Sequence, residues 1–212
     1  MKIGVLALHG AVIEHIEILR RIGVEPVAVR LPEDFEGLSG LILPGGESTT
    51  MRKLGVRWNL REPMMALARS GAPILGTCAG MIVLAKEIAG GEEPVFPLLD
   101  VTVERNAFGR QLDSFETELP MPILGDRPVH AIFIRAPIIE RVGPGVEVLA
   151  RLPDQRVVAV RQRNVIAISF HPELAGETRI HRLIATMAAE YAEPAEGAAA
   201  RGTEPWSLGE AT

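Results

Sequence analysis

Apolar and polar positions alternate in two registers along the first half of the chain. Short unbroken apolar runs are separated by stretches in which apolar residues return every three or four positions, the pattern of buried strands joined by helices. Lys2 to Leu8 reads as a first strand, and Val12, Ile16, Leu19 and Ile22 then recur at helical spacing until Gly23. Val24 to Val29 and Gly40 to Leu43 read as the second and third strands. The third runs into Pro44-Gly45-Gly46-Glu47-Ser48-Thr49-Thr50, a glycine turn expected to open a helix with Ser48 or Thr49 near its cap. A helix over Glu62–Arg69 and the short strand Pro73-Ile74-Leu75 follow, the strand breaking into Gly76-Thr77-Cys78-Ala79-Gly80 and then the helix-like Met81-Ile82-Val83-Leu84-Ala85.

The second half changes character. Val101–Arg105, Ser114–Thr117, Val129–Phe133, Val146–Ala150 and Val157–Arg161 read as short strands, in part antiparallel. A last strand ending at His171 is expected to return towards Cys78. A helix over Thr178–Tyr191 should bury Ile180, Leu183, Ile184 and Met187. The expected class is α/β: a three-layer sandwich whose central, mostly parallel sheet carries helices on both faces, with some antiparallel strands in the second half. No repeat or linker divides residues 1–191. From 192 to 212 the composition turns to Ala, Gly, Glu and Pro with little to bury, which predicts a flexible tail.

Composition narrows the function classes. A 47% hydrophobic chain of 212 residues can build a sizeable core, and a net charge of −5 with mixed signs offers no basic stripe for nucleic acid. The uncharged stretch from Ser70 to Ala85 is too short and too broken by glycine and proline to span a bilayer, and Met1 to Leu8 reads as a strand rather than a signal peptide. A cytoplasmic location is expected. No histidines or acids fall at metal-ligand spacing, and no phosphate-binding glycine motif is present, so neither a metal nor a cofactor is expected.

Chemistry concentrates at the single cysteine. A strand that stops and reverses into a helix needs small residues around the turn, and Gly76 and Gly80 flank Cys78 as in a nucleophile elbow. At a helix N-terminus, unpaired amides favour the thiolate form. The alternative is an inert cysteine packed as a small hydrophobe. Of the five histidines, only His171 lies in a segment built like a site, Ser169-Phe170-His171-Pro172-Glu173. Residues two apart in extended chain project to one side, so Glu173 can reach the imidazole of His171. A nucleophile, a base and an acid that orients the base result.

These segments, with Arg105-Asn106-Ala107-Phe108-Gly109-Arg110 and Phe133-Ile134-Arg135-Ala136-Pro137, resemble the class I triad glutamine amidotransferases from Met1 to about Tyr191. The Gly-Glu-Ser-Thr-Thr turn and the Arg-Asn-Ala-Phe-Gly-Arg run resemble one branch in particular, the glutaminase subunits of pyridoxal 5′-phosphate synthases of vitamin B6 biosynthesis. The resemblance implies a flavodoxin-like fold and hydrolysis of L-glutamine to L-glutamate and ammonia by a Cys78-His171-Glu173 triad. It further implies an oxyanion hole at Gly46 and Ala79, and glutamine contacts from Gly46, Glu47, Ser48, Arg105, Ile134 and Arg135. It implies a partner too: a barrel-shaped synthase subunit, in a hetero-oligomer that receives the ammonia. One departure is His9, where the family usually has glutamine, a candidate modulator of the oxyanion region. Two other readings use the same cysteine, a hydrolase or stress protein on a related sheet and a catalytically silent glutamine sensor.

Overall fold

In a computed structural model, residues 1–105 and 114–193 are described. The run Asn106 to Gln111 and the expected tail, except Ala192 and Glu193, lie outside them.

The central sheet is built from β1 (Lys2–Leu6), β2 (Glu25–Val29), β3 (Gly40–Leu43), β4 (Ile74–Thr77), β5 (Ala85–Ile88), β6 (Leu99–Glu104), β9 (Ile138–Val142), β10 (Glu147–Arg151), β11 (Val157–Gln162) and β12 (Val165–Ile168). Its order is β2-β1-β3-β4-β12-β11-β9-β6-β5, with β10 paired to β11. Pairing is parallel from β2 through β12 and between β5 and β6, and antiparallel among β6, β9, β10, β11 and β12. The remaining strands, β7 (Ser114–Leu119) and β8 (Val129–Ile134), form a separate antiparallel hairpin.

Why the central parallel strands β3, β4 and β12 are buried from end to end is plain from their neighbours. Leu41 and Leu43 pack into one core and Ile42 into the other; Ile74 and Leu75, and Val165 and Ile166, divide the same way. Residues that alternate across a sheet covered on both faces must all be hydrophobic. One face is covered by α2 (Ser48–Arg57), α3 (Arg61–Arg69) and α4 (Ala79–Leu84), which contribute Met51, Met64 and Met81. The other is covered by α1 (Val12–Arg21) and α5 (Arg179–Ala192), through Leu19, Ile180 and Ile184.

The structure departs from the sequence reading in several places. The first strand stops at Leu6, and β2 starts at Glu25 rather than Val24. The α4 helix is only six residues long and runs directly into β5, which the sequence reading takes in part as helix. A further strand, β9, follows Pro137 where none is expected. The cap of α2 is Glu47, not Ser48 or Thr49: its carboxylate accepts the N–H groups of Thr49 and Thr50 at 3.0 and 2.6 Å, and a carboxylate fits the positive end of a helix better than a hydroxyl. On α5, His181 and Ala188 are fully buried beside Ile180 and Ile184, while Leu183 and Met187 are only partly covered.

Candidate active site

Neighbouring strands decide what can meet. β4 and β12 run parallel and adjacent, with Thr77 opposite Ile168 and the Cys78 N–H donating to the Ile168 carbonyl at 2.8 Å. Both chains therefore leave the same edge of the sheet side by side, where open α/β sheets form ligand crevices. Cys78 comes first after β4. His171 comes three residues after β12, in a loop, so it does not end the strand as the sequence reading expects; its own N–H donates to the Ile132 carbonyl of β8 at 2.8 Å.

The turn at Cys78 is tight: φ is +47° and ψ −106°, a conformation that side-chain-bearing residues rarely adopt. Glycine at position 80 permits it, because a β-carbon there would collide with the Leu43 carbonyl. The sulfur is nearly buried and faces the main-chain carbonyl of Ile134 at 3.8 Å. Around the same point lies Gly45, whose added β-carbon would stand 2.9 Å from His171 Nδ1 and 3.3 Å from the Cys78 β-carbon.

Behind His171, the Glu173 carboxylate is wholly buried and its Oε1 lies 2.7 Å from Nδ1. Burial disfavours the imidazolium, but hydrogen bonding and charge from Cys78 and Glu173 outweigh it and raise the ring to about 10. A ring so placed holds a proton that it can deliver to a leaving group, and it keeps its orientation through the buried acid.

The other expected site residues surround this centre unevenly. Ala79 is the first residue of α4, where amides have no intrahelical acceptor. Gly46 packs against Gly10 and His9, and the His9 Nδ1 accepts the Glu47 N–H at 3.1 Å. Ser48 is buried at the start of α2. Besides capping α2, Glu47 accepts the Thr50 hydroxyl at 2.8 Å. Burial would raise its pKa, yet the Thr50 hydroxyl and the Thr49 and Thr50 amides lower it to about 2. Arg105 pairs with Glu92 at 2.6 Å and with Glu47 at 3.4 Å, so its guanidinium is already held by two acids. Arg135 is exposed with φ +42°, next to Ile134, and makes no ion pair with the described residues.

Two functional-looking residues escape the sequence reading. His15 on α1 and His181 on α5 are fully buried, and His15 Nε2 lies 3.6 Å from Glu173 Oε2. The only hint in the sequence is that His15 stands three and four residues before Ile18 and Leu19, the two apolar residues that α1 buries. Among the described residues no cluster of His, Cys, Asp and Glu could hold a metal, and no helix is long and apolar enough to cross a membrane.

The model of the SNO glutamine amidotransferase family matches residues 5–190. A protein of Herpetosiphon aurantiacus named pyridoxal 5′-phosphate synthase subunit PdxT is 56% identical over 186 residues, covering 86% of this chain and 98% of that protein. A protein of the same name from Dehalococcoides mccartyi is 55% identical over 193 residues, 90% of this chain and 99% of that one. Among solved structures, one described as a glutamine amidotransferase is 49% identical with a TM-score of 0.83, covering 88% of this chain and 98% of its own. A structure of PurLQS from Thermotoga maritima shares the fold, at 18% identity and a TM-score of 0.64 over 91% of this chain and 99% of that one.

Proposed function

The chain belongs to the SNO glutamine amidotransferase family, and from that premise we propose that it is the glutaminase subunit of a pyridoxal 5′-phosphate synthase. Residues 1–191 hydrolyse L-glutamine to L-glutamate and ammonia and pass the ammonia to a synthase subunit. The observation that carries the reading is the convergence of a strained, nearly buried cysteine with an imidazole whose far nitrogen is 2.7 Å from a buried carboxylate.

The chemistry follows from that arrangement. Cys78 Sγ attacks the carboxamide carbon of glutamine, and the charge that builds on the oxygen is met by the amides of Gly46 and Ala79, each such donor typically worth about 10²–10³-fold in rate. His171 gives its proton to the departing ammonia, leaving a thioester on Cys78. The neutral ring then takes a proton from water, whose oxygen attacks the thioester and releases glutamate, while Glu173 keeps Nδ1 protonated and the ring aligned. Arg135 supplies a cation for the substrate carboxylate and Glu47 an acid for its ammonium, with Ser48, Arg105 and the Ile134 carbonyl completing the rim. Arg105, clamped by Glu47 and Glu92, acts chiefly by fixing Glu47. Ammonia set free in water at neutral pH is mostly protonated and no longer a nucleophile, so a docked acceptor subunit gives the hydrolysis its purpose; the reaction is cytoplasmic.

The test is glutamate formation by the chain with and without a synthase subunit, for the unaltered protein and for Cys78→Ala, His171→Asn and Glu173→Ala. Activity should vanish in the first two and fall strongly in the third, and a glutamine-like electrophile should label Cys78 alone. Turnover that survives Cys78→Ala refutes the mechanism; labelling without any turnover favours the silent glutamine sensor.

A further inference from the structure

We propose that His15, backed by His181, is a positioning residue that fixes Glu173 from behind, so that the aligned line of side chains begins on α5 rather than at Glu173. The proposal rests on the glutaminase reading and adds to it two residues that touch neither sulfur nor substrate.

Glu173 has one oxygen on His171, and its second, Oε2, is buried without a hydrogen-bond donor. A buried carboxylate oxygen left so is costly. The nitrogen facing it is His15 Nε2, at 3.6 Å. The other nitrogen of that ring lies 2.8 Å from His181 Nε2, and Nε2 itself is 3.3 Å from the hydroxyl of Thr77, the residue before Cys78. His181, His15, Glu173, His171 and Cys78 thus form a continuous buried line drawn from α5, α1, the loop after β12 and the elbow after β4.

Proton positions in this line are constrained. Burial, then the proximity of His181 and His171, keeps His15 far below the ordinary histidine pKa, and burial pushes His181 down to about 4. Both rings are therefore neutral near pH 7, and each carries one N–H. With the His15 proton on Nε2, that N–H points to Glu173 Oε2 and to the Thr77 oxygen, and Nδ1 accepts the Nε2 proton of His181. The Glu177 carbonyl also faces the His181 ring and favours a proton there, but it is a neutral dipole, and the carboxylate of Glu173 draws the proton line more strongly. The opposite assignment aims a lone pair at the carboxylate and leaves Oε2 with nothing. At 3.6 Å the contact is longer than an ordinary hydrogen bond, and the role proposed for it requires that it shorten in the reacting complex.

Two variants separate positioning from packing. His15→Leu keeps the site filled but removes the donor, whereas His15→Gln restores an N–H near the place of Nε2. In the complex with the synthase subunit, His15→Leu should lower kcat by about tenfold, the worth of one charge-assisted hydrogen bond, with KM within about twofold. His15→Gln should return kcat to within about threefold of the unaltered enzyme. An unchanged kcat in His15→Leu, or a Gln variant as impaired as the Leu variant, overturns the proposal. Imidazole ¹⁵N spectra of the full chain give a readout free of turnover: Nε2–H on both His15 and His181 is expected, and a proton on His15 Nδ1 overturns the proposal even if His15→Leu fails to fold. An unaltered protein that does not hydrolyse glutamine counts against the proposed function, while the spectra still decide the role of His15.

Discussion

Gly45→Ala should disable the site while leaving the fold standing. The backbone at Gly45 is not in the left-handed region, so an alanine there meets no conformational penalty and the effect is one of space alone. Its β-carbon would stand 2.9 Å from His171 Nδ1 and closer still to Cε1, against the 3.4 Å at which ordinary contact begins. The ring must retreat by about 1 Å, and a misplacement of that size at reacting atoms costs about 10²-fold in rate. Retreat is opposed on the far side by Glu173, whose carboxylate is buried and cannot swing out to water. Overpacking a filled region adds about 1–3 kcal/mol of destabilisation, which leaves a folded protein. The assay is single-turnover and steady-state glutamate release in the presence of the synthase subunit, beside thermal melting and assembly measured by ultracentrifugation. A kcat within about threefold of the unaltered chain, with melting unchanged, would falsify the claim that His171 and Cys78 close around this glycine.

Two further outcomes follow from electrostatics. Glu47→Ala removes the cap of α2 and should cost about 0.5–2 kcal/mol in urea unfolding at pH 7. Because the folded carboxyl is depressed to about 2, its contribution is present above the ordinary carboxyl pKa and is lost as pH falls towards 2, so the two proteins should converge in stability at strongly acid pH; a constant gap refutes this. On the hairpin, His130 lies 3.0 Å from Glu118 and 2.8 Å from Glu116, which raise its pKa in that order. A raised pKa means stability present below the ordinary value near 6.5 and lost as pH rises through the folded value. His130→Ala should therefore flatten the fall in melting temperature across that window, and an undiminished slope points to another group.

What the chain discloses in its letters depends on how each residue is neighboured. The parallel strands were legible because burial on both faces forces unbroken apolar runs such as Gly40–Leu43 and Val165–Ile168. Glycines around Cys78 and the two-residue spacing of His171 and Glu173 were legible for local reasons of space and reach. β5 was not, since Lys86 and Glu87 are both exposed on a strand at the edge of the sheet, so neither an apolar run nor a strict alternation marks it. The inner face of α1 was misleading as well: Ile13 is 68% exposed while His15 is fully buried, because the helix turns a polar ring towards Glu173 and leaves an aliphatic side chain outside. Capping by Glu47 escaped notice because hydroxyls close by offered the commoner solution.

The adjacency of β4 and β12 has a bearing on when the enzyme becomes one. A growing polypeptide presents its thiol early, but the imidazole and its acid arrive only after the antiparallel excursion through β6, β9, β10 and β11 has been made. If Cys78 and His171 act as proposed, the sulfur lacks its base during synthesis until the last strand slots in beside the fourth, and a prematurely terminated product should show no glutamine hydrolysis. On the mechanism proposed above, completion of the sheet is the step that arms Cys78.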